Sequence, residues 1–153
     1  NIYYMNINYF MSLAIKEANY AYDNNEVPVG GVLVDIKTNQ IIYKSHNKVN
    51  KEKNAMHHCE IDLIMHSCKA LSRKYLHDTI MFVTLEPCLM CASAISEVHI
   101  DKLYFGAYDN KNGGIENSKF QFKRKHAFKT ERYGGIMEND CKALLDNFFK
   151  KLR

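Results

Sequence analysis

His58, Glu60, Cys88 and Cys91 together offer a metal-binding set and a proton-transferring carboxyl. Cys88 and Cys91 stand three positions apart, so in a first helical turn both thiols face one side. Two such thiols reach a single metal ion, and His58 offers a third donor from a second segment, His58-Cys59-Glu60. A zinc ion with three protein ligands keeps one tetrahedral position open for water, the pattern of a catalytic rather than a structural site. Each segment is expected to open a helix, where unpaired N–H groups add positive potential and favour the thiolate. Glu60 follows the histidine by two residues. There it would touch a water on the ion without being a ligand, as a general acid/base must.

The same residues admit a blander use. A structural zinc would recruit a fourth ligand, and His57, Cys59, Cys68 and Cys141 are the candidates. A lone CxxC in a reduced protein is also often redox-active. Cys68 and Cys141, however, fall on apolar helical stripes, where small buried thiols are ordinary. Cys59 adjoins the histidine, and alternation around the helix start should turn it away from the metal. Turned inward, it would compete for the open position.

Hydrophobic periodicity places helices and strands around these groups. Tyr9 to Tyr22 reads as a helix capped by Asn8, with Asn24 and Asn25 at its end. Gly30–Asp35 and Gln40–Ser45 read as strands about a Lys37-Thr38-Asn39 turn, followed by a lysine-rich loop over Asn47–Asn54. A helix starts at His58. Ile80–Thr84 is a short buried strand, and Pro87–Ser96 a helix with proline in first position. Lys102–Gly106 is a strand, Asp109–Asn117 a Gly- and Asn-rich loop, and Phe128–Tyr133 a fifth strand. Met137–Leu152 closes the chain as an amphipathic helix carrying Cys141, Leu144, Leu145, Phe148 and Leu152 on one stripe. Alternating helices and strands predict a three-layer α/β/α sandwich, with helices on both faces of one mixed sheet of about five strands.

Composition sets the bounds. At 153 residues, 46% hydrophobic and 25% charged, the chain suits one domain over 1–153. No run approaches the ~20 apolar residues of a membrane span. Five cysteines, an odd number including a CxxC, argue against a secreted disulfide scaffold and for a reducing, intracellular setting, cytoplasmic or nuclear. The net charge of +4 permits a polyanionic partner without demanding one. The first residue is Asn1, not Met, so the native N-terminus is expected to lie upstream, and nothing in these residues looks like a targeting peptide.

With these residues placed, the sequence resembles the cytidine-deaminase superfamily, and within it the tRNA adenosine deaminases. The resemblance spans nearly the whole chain and includes the H-x-E and P-C-x-x-C signature of zinc deaminases. It is carried by Glu26-Val27-Pro28-Val29-Gly30, by Thr84-Leu85-Glu86-Pro87-Cys88-Leu89-Met90-Cys91-Ala92, by Phe105-Gly106-Ala107 with Asp109 and Lys111, and by Phe148-Phe149-Lys150. The Gly113-Gly114-Ile115-Glu116-Asn117 loop looks closer to the eukaryotic catalytic subunit than to bacterial relatives. One departure is Cys59, where the family usually has Ala.

The resemblance implies hydrolytic deamination of the wobble adenosine of a tRNA anticodon. His58, Cys88 and Cys91 would hold Zn²⁺, and Glu60 would shuttle protons. Asn47 would contact the base, Val27 and Leu85 would wall it, and the Pro87 carbonyl would accept from its amino group. Equally, Asn47 is a good turn residue, and Val27 and Leu85 good core residues. Lys123, Arg124, Lys125, Lys150, Lys151 and Arg153 are candidate phosphate contacts, although charged runs are usually solvated faces. The expected partners are an anticodon stem-loop and a second subunit, either another copy or a related inactive deaminase chain. The competing functions are deamination of a free base or nucleotide, such as guanine or deoxycytidylate, and a non-catalytic zinc scaffold.

Overall fold

A computed structural model of the chain describes residues 5–116 and 125–153. Asn6 caps the first helix through a hydrogen bond from Tyr9 N to its Oδ1 (3.0 Å), and α1 runs over Ile7–Asp23. The cap thus sits two residues earlier than the expected Asn8, which lies inside the first turn. Asn24 and the left-handed Asn25 (φ 59°) end the helix. There follow β1 (Gly30–Asp35), β2 (Ile41–His46), α2 (Cys59–Leu71), β3 (Thr79–Leu85), α3 (Leu89–Glu97), β4 (Lys102–Ala107), β5 (Glu131–Tyr133) and α4 (Glu138–Lys151).

The sheet order is β2-β1-β3-β4-β5. β1 is antiparallel to β2 and β3, while β3, β4 and β5 are parallel. Successive residues of β1 face opposite layers. A Cβ on Gly30 would stand 2.2 Å from the Ala14 carbonyl of α1, whereas one on Gly31 would meet Leu63 and Cys59 of α2 at 2.9 and 3.0 Å. Only glycine lets both helices approach the strand so closely. α4 reaches the α1 face, with its Cys141 against Gly106 of β4. The three-layer sandwich and the five-stranded mixed sheet therefore stand as expected from the sequence.

Two boundaries differ for a physical reason. Pro87 is not the first residue of α3. Cys88 is the extended N-cap (φ −69°, ψ 174°), which leaves Pro87 outside the helix. β5 keeps only three of the six residues expected, because the segment before it is held by side chains rather than by a ladder. The Phe128 ring stacks on His99 at 4.7 Å, the Phe128 carbonyl accepts from Ser96 Oγ, and Thr130 Oγ donates to the Ile100 carbonyl. Leu152, placed by periodicity on the α4 stripe, is 67% exposed beyond the helix end.

Candidate metal centre and its cavity

The carboxyl ends of the parallel strands β3 and β4 meet the ends of β2 and the entry to β1, the edge at which open α/β sheets usually bind ligands. His58 and Cys88 occupy equivalent places there. Each is the extended N-cap of its helix, and neither side chain makes a cap hydrogen bond. Their donor atoms therefore point off the helix ends. Cys91 lies one turn into α3 and is buried.

His58 Nδ1 stands 3.6 Å from Cys88 Sγ and 3.5 Å from Cys91 Sγ. Zn–S bonds of ~2.3 Å and a Zn–N bond of ~2.05 Å meeting near the tetrahedral angle place N and S roughly 3.6 Å apart. The donor set thus fits Zn²⁺ in kind and in spacing. No fourth His, Cys, Asp or Glu joins this group among the described residues. Cys59 is buried, with its thiol donating to the Ser45 carbonyl at 3.3 Å, so it turns away from the metal donors as the sequence led us to expect. Cys68 and Cys141 also stand outside the group.

The electrostatics favour a cation. Hydrogen bonds from the Cys91 thiol and from His58 outweigh burial and hold the Cys88 thiol down to about 4. The neighbouring Cys88 and burial push the Cys91 thiol far up, since two adjacent thiolates repel. A divalent ion between them removes that conflict. The hydrogen bond to Cys88 raises His58 despite burial. Glu60, 4% exposed, is lifted to about 7, mainly by burial.

Glu60, His58 and Cys88 line a cavity of about 370 Å³ together with Val27, Asn47 and Leu85. The fold thus brings six of the expected site residues to one hollow. Pro87 does not line it, and its carbonyl already accepts from Gly114 N at 2.8 Å. A larger hollow of about 750 Å³, beside the 125–130 segment, contains Lys125 and none of the metal donors. Lys150, Lys151 and Arg153 are exposed at the end of α4. That end lies on the cavity side of the fold, because Phe148 packs edge-on against Tyr22 near the end of α1 (5.7 Å). Lys151 already has a partner, its ammonium lying 5.3 Å from the centre of the Tyr22 ring. Lys123 and Arg124 fall outside the described residues.

Sequence reasoning missed three buried carboxylates that tether the walls. Glu26 accepts from the backbone amides of Asn50 and Lys51, both at 2.9 Å. Glu86 accepts from the amides of Asp109, Ile115 and Glu116 at 3.0, 3.1 and 2.7 Å. A Cβ at Gly113 would stand 2.5 Å from the Glu86 carboxylate, and one at Gly114 would stand 2.6 Å from the amide of Leu89, so this glycine pair lets the 109–116 loop close on the metal segment. Asp62 accepts from Ser45, Lys48 and His57. Burial pushes its carboxyl up, and these hydrogen bonds more than reverse the effect, to about 2. Asp62 and Glu86 each stand between apolar neighbours, whereas Glu26 follows a polar Asp23-Asn24-Asn25 run and carries no such signal.

Residues 5–107 match the cytidine and deoxycytidylate deaminase zinc-binding region. The tRNA-specific adenosine deaminase of Rickettsia felis is 42% identical over 144 residues, spanning 94% of this chain and 100% of that protein. The one from Aquifex aeolicus is 39% identical, spanning 95% of each chain. A structure described as a study of A-to-I editing by tRNA:A34 deaminases at the wobble position superposes with a TM-score of 0.84 at 37% identity, covering 90% of this chain and 99% of that one. Guanine deaminase from Nitrosomonas europaea shares the fold at a TM-score of 0.78 but only 16% identity. The chain belongs to the zinc-dependent cytidine and deoxycytidylate deaminase family, and within it to the tRNA-specific adenosine deaminases.

Proposed function

We propose that this chain hydrolyses the 6-amino group of the wobble adenosine in a tRNA anticodon, giving inosine and ammonia. The observation that carries this reading is the single cavity joining an acid/base carboxylate, a metal donor set and apolar walls. Its volume lies near the small end of the roughly 300–1,000 Å³ of small-molecule pockets, which suits one flipped nucleoside and not a stem. Val27 and Leu85 hold the base between them. Asn47 uses one donor and one acceptor on Val27 O and Cys59 N (3.2 and 2.8 Å), which leaves its amide one more of each for the base.

His58, Cys88 and Cys91 would hold the zinc, which when bound supplies a water activated for attack on C6. Glu60 takes the proton from that water and hands it to the amine, which leaves as ammonia. A carboxyl with little exposure suits this work because solvent does not compete for the proton. A purely scaffolding zinc module would need no such group. Incubation with an anticodon stem-loop, followed by nucleoside analysis, tests the reading. Inosine at the wobble position supports it, and unchanged adenosine counts against it.

The RNA is held largely outside the cavity. Lys150 and Arg153 extend the cavity end of the fold and meet phosphates there, and a second subunit, a further copy or a related inactive chain, enlarges that surface. Relatives from bacteria favour the cytoplasm as the setting. Phosphate contacts make binding salt-dependent, with log K falling by roughly 0.7 per neutralised single-strand phosphate for each tenfold rise in salt. We expect Lys150→Ala and Arg153→Ala each to weaken stem-loop binding and flatten its salt slope, with zinc content unchanged. Fluorescence anisotropy across a salt series measures this, and salt-insensitive binding would remove the RNA contact.

A further inference from the structure

Away from the metal donors, one carboxylate gathers the two ends of the 47–58 segment. Asp62 sits in the first turns of α2, and its side chain is 1% exposed. Its Oδ2 accepts from Ser45 Oγ and from Lys48 Nζ (2.8 Å), and its Oδ1 accepts from His57 Nε2 (2.6 Å). Ser45 and Lys48 bracket Asn47, and His57 directly precedes His58. The amide of Lys48 also donates to the His57 carbonyl at 3.1 Å, which ties the two ends together. Asn47 in turn accepts from the amide of Cys59 at 2.8 Å, at the start of the helix that carries Asp62. A buried carboxylate with several charge-assisted partners is rigid, because losing any one of them leaves charge unpaired in a poorly solvated place.

We propose that Asp62 is a positioning residue that acts through Asn47, fixing the base-contacting amide against the cavity by holding the backbone on both sides of it. This rests on the reading of Asn47 as a base contact given above. Asp62 belongs neither to the cavity lining nor to the metal donor group. Its influence passes through Ser45 and Lys48 to the Asn47 backbone and through the start of α2 to the Asn47 side chain. Loss of such outer partners typically costs ~10–100-fold at a functional site. The cost should fall on kcat and spare KM, because a base that binds in a misaligned pose still binds.

The test is a double-mutant cycle on purified zinc-loaded protein, with an anticodon stem-loop as substrate and zinc measured by elemental analysis. Asp62→Asn keeps the side-chain shape and removes the charge. We expect kcat to fall by ~10–100-fold, KM to shift little and zinc to remain at about one per chain. In an Asn47→Ala background the same change should cost little more, since the two residues act through one group. Should Asp62→Asn fail to fold, Lys48→Met and Ser45→Ala each remove one partner and carry the same cycle at smaller amplitude. Losses that multiply, an Asp62→Asn protein with full turnover, or loss of zinc would each overturn the proposal. A wild-type chain inactive on the stem-loop would instead remove the proposed function, and this role with it.

Discussion

Glu60→Ala will keep its fold and its zinc while losing turnover by ~10²–10⁴-fold or more. The side chain lines the cavity beside His58 and Cys88 and stands outside the metal donor group. It is therefore free to move protons without holding the ion. One carboxyl must both deprotonate the attacking water and protonate the amine, so its removal penalises two steps rather than one. The carboxyl is also a group that burial disfavours in its charged form. Replacing it by alanine relieves that burden, so Tm should hold steady or rise, as is common when an acid is removed from an active site. Elemental analysis, thermal melting and single-turnover kinetics on one preparation read all three quantities. Loss of zinc in the variant would make Glu60 a ligand and overturn its assignment as the proton shuttle.

Cys88→Ala will lose both zinc and turnover. With Cys88 gone, the site keeps His58 and Cys91 alone. Two protein ligands cannot hold the ion against dialysis with a chelator, so zinc should fall from about one per chain to near zero. Cys59→Ala provides the contrast. Its thiol faces the Ser45 carbonyl, so zinc content and turnover should remain. X-ray absorption on the wild type should show two sulfurs at ~2.3 Å and one nitrogen at ~2.0–2.1 Å, with a light atom completing the shell. Four sulfur ligands, or zinc lost from Cys59→Ala, would contradict the open site.

The metal centre was legible in the sequence because its chemistry needs rare residue types at fixed spacing. Two thiols three residues apart and a histidine two before a glutamate have few other uses in combination. β1 was legible over its full Gly30–Asp35 length because a short valine-containing apolar run, preceded by Pro28 and followed by the Lys37-Thr38-Asn39 turn, is too short for a helix and favours a strand. Helix starts were less so. Whether Pro87 is a first helical residue or lies before an N-cap depends on one ψ angle at Cys88, which no periodicity encodes. The tethers were hidden for a different reason. Glu26 and Glu86 find their partners among backbone amides 23 to 30 residues away, and every residue type carries an amide. Asp62 reads as an ordinary acidic residue in a first helical turn, where the dipole welcomes it. Only the folded chain brings Ser45, Lys48 and His57 around it.

An adenosine presented by structured RNA is the substrate that this cavity suits. The direct measurement is kcat/KM of the zinc-loaded wild type on an anticodon stem-loop with adenosine at the wobble position, set against free adenosine, guanine and deoxycytidylate. Released ammonia and nucleoside analysis give the readout. We expect inosine at the wobble position of the RNA and no measurable product from the free compounds, because phosphate and loop contacts outside the cavity align the base for attack. Efficient deamination of a free base or nucleotide, with the stem-loop left unchanged, would contradict it.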